Sequence, residues 1–294
     1  MQRRWYGRDT SLSIRMFISL FLLAAVYVAF LVVLWYVGAD AFTMLVLAAV
    51  LIGAQYFFSD RIVLWSMGAR EVGPRDAPEL HAMIERLAAF VDLPKPRVAI
   101  ADHAIPNAFA TGRSPNNAVV AVTTGLLAQL ETPELEAVLA HEITHIKNRD
   151  VLVITLASFF ATVAFSILRW APFLGSGRRR DGQGLALVYV ASLLTWLISF
   201  VLIRAVSRYR EYAADRGAAV ITGAPSHLSS ALIKIAGTMQ RIPTRDLREV
   251  EGMNAFFIVP ALSGKSFMEL FSTHPSLENR LRRLQQMQEQ MEGV

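Results

Sequence analysis

Four apolar runs decide what this chain can fold into. Met16–Ala39 carries no charged residue and is dominated by Phe, Leu, Val and Ala. As a helix it is long enough to cross the roughly 30 Å hydrocarbon core of a bilayer. Asp40 interrupts it, and a second charge-free run, Ala41–Ser59, follows. Val151–Leu168 and Leu185–Ile203 form a second pair. Backbone groups in hydrocarbon must be satisfied within their own segment, so each run is predicted to be a helix. The hydrophobic share of 54% against 18% charged is high for a soluble protein and suits such spans.

The flanks set a direction. Arg3, Arg4, Arg8 and Arg15 precede the first run, and Trp35, Tyr36, Tyr56, Phe57 and Phe58 lie near run ends, where interfacial aromatics belong. The first run is too long for a leader and lacks a small-residue cleavage site, so a retained hairpin is expected over residues 1–62, with spans at about 16–39 and 41–59. The basic N-terminus places it in the cytoplasm and returns the chain there near Asp60. A second hairpin is expected over 151–203, with spans at 151–168 and 185–203. It carries a conflict: Gly175–Gly182 contains Arg178, Arg179 and Arg180, and full spanning would put that basic loop outside. Shallow, partly buried runs are the alternative; length and lack of charge favour spanning. Residues 63–150 and 204–294 are ordinary globular sequence and are expected to form the two parts of one catalytic domain on the cytoplasmic side. Arg204, Arg208 and Arg210 read as anchors at the membrane surface. Membrane lipid is the expected surface partner. Nucleic acid is not expected, because no basic helix stands free of the spans. The sequence sets no oligomeric state.

Within 63–150, Asp76-Ala77-Pro78-Glu79 opens a helix with Leu80, Met83, Ile84, Leu87 and Val91 on one face. Arg97–Ala101, Asn107–Gly112 and Ala118–Val122 read as short strands, and Gly125–Leu130 as a connecting helix. Thr132 is the expected cap of the next helix, with Pro133 in its first turn. That helix carries His141-Glu142-Ile143-Thr144-His145, an H-E-x-x-H pattern. Histidines four apart share a helix face and can hold one metal ion. Glu142 sits slightly round the helix, where it can serve as a base without being a ligand. Two unrelated histidines on a solvated face are the bland alternative; the apolar stripe of Leu135, Val138, Leu139 and Ile146 argues for a buried helix. The chain has no cysteine, so any metal must be held by His and carboxylate.

A catalytic zinc takes a third protein ligand. Candidates are His103, Asp150, Glu211, Asp215, His227 and His274. Glu211 is best placed, in Glu211-Tyr212-Ala213-Ala214-Asp215, because Asp215 shares its face and can orient a ligand histidine. Pairing of Glu211 with Arg208 or Arg210 is the alternative. The helix about 204–222 also carries Ala213, Ala214, Gly217, Ala218 and Ala219, small enough for close packing. Ser226 is expected to cap a helix bearing Leu228, Leu232, Ile235 and Met239, and Thr273-His274-Pro275-Ser276 to open a last one.

H-E-I-T-H-I-K-N-R-D, the E-Y-A-A-D pair, Asn107-Ala108-Phe109-Ala110-Thr111-Gly112 and Thr273-His274-Pro275-Ser276 together resemble the HtpX family of membrane zinc metalloproteases, which is related to the CAAX-prenyl proteases. The similarity covers nearly the whole chain. It implies an α+β, predominantly helical fold, gluzincin-like, with transmembrane helices and a small β-sheet beside the H-E-x-x-H helix. It implies one zinc ion per chain held by His141, His145 and Glu211, with Glu142 as catalytic base and Asp215 supporting a ligand histidine. It implies that His274 and Arg280 face the cleft, where they steady the oxyanion or substrate, and that Asn107, Ala108, Phe109 and Ala110 line an edge on which an extended protein or peptide substrate lies. The implied role is quality control of damaged membrane and cytoplasmic proteins in the cell membrane. A selective processing peptidase and a membrane scaffold with a non-catalytic zinc site are the competing readings. A transporter is disfavoured, since the apolar runs hold no pair of ionisable residues.

Overall fold

The computed structural model describes residues 10–36, 46, 49–50, 53, 57, 60–61, 63–174, 182–241 and 274–293. Most of the second apolar run, the basic loop at 175–181 and the segment 242–273 lie outside them.

The chain divides into two compact units. Among the described residues, one lies within 10–57 and 153–207, and the other within 60–152 and 208–293. In the first, α1 (Thr10–Tyr36) packs with α5 (Asp150–Leu174) and the first part of α6 (Gly182–Thr222). Leu23 and Tyr27 meet Ala157, Leu202 and Ile203; Phe30 and Leu34 meet Ala164, Val188 and Trp196. The Tyr27 hydroxyl donates to the Ala157 carbonyl. Thr10–Tyr36 and Ala186–Thr222 are long and apolar enough to cross a membrane.

The other unit holds a four-stranded sheet in the order β1-β2-β4-β3. Its strands are β1 (Ala69–Glu71), β2 (Arg97–Ala101), β3 (Ala108–Thr111) and β4 (Val119–Thr123). β2 and β4 are parallel, while β1 and β3 run antiparallel at the edges. β4 is buried along its whole length, which explains its unbroken apolar sequence. Val98, Val120 and Val122 face the core built with α2 (Pro78–Phe90), α4 (Thr132–Lys147) and α7 (Pro225–Met239). Ala99, Val119, Ala121 and Phe109 face the other way, onto Val63 and Leu64. β3 packs beside α4, and a short helix α3 (Thr124–Gln129) leads from β4 toward it.

Several boundaries differ from the sequence reading. Glu131, not Thr132, caps α4, through a capping box with Glu134. Ala224 precedes α7, so Pro225 is its first residue and Ser226 lies inside. The expected strand 107–112 is shorter, because Gly112 turns at φ 125°. The run at 185–203 and the helix expected at 204–222 are one helix, α6; no glycine or proline stops it between Ala186 and Arg216. The last helix, α8 (Leu277–Glu292), is capped by Ser276, whose side chain accepts from Asn279 N–H.

Candidate metal centre

Three helices supply the site. α4 brings His141, Glu142 and His145, α6 brings Glu211 and Asp215, and α8 brings Arg280, with His274 just before its start. The approach of α6 to α4 needs Gly217: a Cβ there would lie 2.3 Å from Thr144 Cγ2. Thr144 cannot swing aside freely, since its hydroxyl donates to the Ala140 carbonyl at 2.8 Å.

His141 and His145 turn their Nε2 atoms toward each other, 3.1 Å apart. Glu211 closes the triangle, with Oε2 3.7 Å from His141 Nε2 and Oε1 3.5 Å from His145 Nε2. Both opposite ring nitrogens face carboxylates. His141 Nδ1 lies 3.0 Å from Asp215 Oδ1, and His145 Nδ1 lies 2.5 Å from Asp150 Oδ2. A carboxylate accepts only, so each Nδ1 carries the proton and each Nε2 presents a lone pair. Two lone pairs and a buried carboxylate aimed at one point leave a deficit of positive charge. Glu211 Oε2 faces His141 Nε2 on one side and the side chains of His274 and Arg280 on the other. The donor set fits a cation of zinc's type, and the histidine–carboxylate pairs are the usual supports of such ligands.

The outer contacts are tight. The Arg280 guanidinium grips Asp215 with two bonds, Nε to Oδ2 at 2.9 Å and Nη2 to Oδ1 at 2.6 Å, and its Nη1 stands 3.5 Å from Glu211 Oε2. His274 Nδ1 lies 3.2 Å from the same oxygen. Burial works against ionisation of Glu211, but His274, His145 and Arg280 outweigh it and hold its carboxyl well below the usual range. Burial likewise opposes Asp215, and Arg280 and His141 overcome it. Glu142 is 4% exposed and lies close enough to Arg280 to favour its charged form.

Of the candidate ligands, His141, His145 and Glu211 form the cluster among the described residues. Asp215 and Asp150 stand behind the histidines, and His274 stands behind Glu211. His103 and His227 are exposed and outside it. Arg280, expected to face the cleft, is 2% exposed and committed to Asp215. Arg210, read as a membrane anchor, is buried and paired with Asp150. Asp150 was one ligand candidate among six; its service to His145 is a contact five residues along the chain, made possible by a reversal at Arg149, φ 55°.

Asn107, Ala108 and Phe109 are buried, backbone included, while Ala110 is half-buried. Asn107 precedes β3, and its carbonyl accepts from Thr123 N–H. Antiparallel pairing alternates, so Phe109 and Thr111 turn their polar groups toward β4 while Ala108 and Ala110 turn theirs away. β3 is an edge of the sheet.

The profile of Peptidase family M48 matches residues 74–288. A "Protease HtpX homolog" of Moorella thermoacetica is 62% identical over 99% of this chain and 99% of its own. A "Protease HtpX homolog 2" of Methanosarcina acetivorans is 56% identical over 99% of this chain and 100% of its own. The crystal structure of S. mikatae Ste24p shares the fold, with a TM-score of 0.55 at 22% identity over 93% of this chain and 66% of that one. The profile match and the full-length likeness to these relatives establish that the chain belongs to Peptidase family M48.

Proposed function

We propose that this protein is a membrane-bound zinc endopeptidase that hydrolyses peptide bonds of misfolded or damaged membrane and cytoplasmic proteins, with its catalytic unit on the cytoplasmic side. The observation that carries the peptidase reading is the convergence of His141 Nε2, His145 Nε2 and the buried Glu211 carboxylate, with each Nδ1 facing a carboxylate. These three residues would hold one zinc ion. When bound, zinc supplies Lewis-acid polarisation of the substrate carbonyl and acidifies water.

The chain's own residues do the rest. An extended substrate adds to the β3 edge at the half-buried Ala110, whose N–H and C=O turn away from β4, which gives affinity with little sequence selectivity. Glu142 takes the proton of the attacking water and passes it to the leaving amine. His274 stands beside Glu211 Oε2, where its imidazole can stabilise negative charge developing on the carbonyl oxygen. Arg280 acts as a positioning residue: it fixes Asp215, and Asp215 fixes His141. The protease reading is supported by the printed names of the full-length relatives and the membrane placement by the apolar helices; the damaged-protein role follows from the resemblance drawn from the sequence motifs. Purified protein stripped with a zinc chelator is expected to lose casein cleavage and to regain it with added zinc. Cleavage that survives complete metal removal would overturn the proposal.

A further inference from the structure

Beyond Ala110 the edge strand runs into a cleft. One wall is the turn after β3, and the other is the end of α4 with the first turn of α5; His145 lines it too. Ala110, Pro115, Ile146 and Leu152 make apolar parts of the lining, and its charged members are Arg113, Arg149 and Asp150. Asp150 is already engaged by His145 and Arg210. Arg113 donates to Asn117 Oδ1 at 3.5 Å, which places it on the hairpin. Arg149 is exposed and makes no ion pair among the described residues. It follows the C-cap Asn148 of α4 and has φ 55°, a left-handed position that glycine ordinarily fills. A cation near a helix C-terminus is favourable in itself, yet Lys147 in the last turn already answers that need. Among the described residues Asp150 is the one carboxylate lining the cleft, and it is taken by His145 and Arg210, so Arg149 presents positive charge beside His145.

We infer that this cleft is a substrate subsite for a carboxylate-bearing side chain, recognised by Arg149. The inference rests on the peptidase reading, since it places the peptide along β3 and past His145. The apolar walls take a methylene stem and the Arg149 guanidinium takes the carboxylate. Glutamate therefore fits better than aspartate.

The test uses the full-length, zinc-loaded protein in detergent and quenched-fluorescent peptides of one neutral sequence. A single Glu, with Gln as its control, is moved through each position around the scissile bond. At one position the Glu peptide is expected to have a kcat/KM roughly three- to five-fold above its Gln control, an advantage that salt reduces. Arg149→Gln should bring that ratio near one, and Arg149→Glu should push it below one. Should Arg149→Glu be inactive, binding of the same peptides to Glu142→Gln with and without Arg149→Glu gives the same ratio. A ratio near one at every position, or a Glu preference unchanged by Arg149→Glu, overturns the subsite. So does an effect of Arg149→Glu on association with anionic phosphatidylglycerol vesicles alone. Failure to cleave any peptide would strike the peptidase reading instead.

Discussion

At the scale of single residues, two carboxylates stand behind the proposed metal ligands, on the ring nitrogens that face away from the cluster. Asp215 and Asp150 each hold one histidine by Nδ1, which fixes the tautomer that leaves Nε2 free to bind. Removing either support should weaken zinc binding by about 10- to 100-fold. Asp150→Ala and Asp215→Ala are expected to show this in competition with a chelator, while Asp150→Asn, which keeps an acceptor oxygen, should lose less. Zinc affinity unchanged in Asp150→Ala would show that the contact does not position His145. The two supports were not equally legible. Glu211 and Asp215 lie four apart on one helix face, so their joint use could be read from spacing. Asp150 lies beyond a helix end, and its direction depends on the left-handed turn at Arg149, which nothing in a run of Lys, Asn and Arg announces.

At the scale of elements, the site exists because α6 comes close to α4, and Gly217 permits that approach. A glycine-to-alanine change inside a helix ordinarily gains about 1 kcal/mol. Here the added methyl meets Thr144, so Gly217→Ala should lower the melting temperature and weaken zinc binding by moving Glu211 and Asp215 away from the histidines. Thr144→Ala, which removes both close side-chain atoms, should restore part of the loss in the double variant. A Gly217→Ala protein as stable as the parent would contradict the packing argument. The small residues of 213–219 made close packing readable, though not which helix they meet. Other elements were readable for plain reasons: β4 is buried on both faces and so unbroken in its apolar sequence, and the motif helix keeps an apolar stripe. β1 escaped notice because it is three residues long and mostly exposed, with two of its three residues charged. The change from apolar to polar at residue 204 marks a change of surroundings within α6 and not a helix end.

At the scale of the whole molecule, the sequence interleaves apolar runs with the two parts that bring His141, His145 and Glu211 together, in a chain that belongs to Peptidase family M48. Thr10–Tyr36 and Ala186–Thr222 can cross a bilayer; four spans with a cytoplasmic catalytic unit is the proposed arrangement. A reporter fused at Gly177 is expected to signal from outside the cytoplasm despite the three neighbouring arginines, and a cytoplasmic signal would contradict the second hairpin. The most direct test of the central claim pairs metal analysis with casein cleavage for the parent and for Glu142→Gln. The parent should carry about one zinc per chain and cleave casein; Glu142→Gln should carry the same zinc and lose cleavage by at least about a hundred-fold. Casein cleavage by Glu142→Gln at the parental rate, or a parent that binds no zinc, would contradict the account.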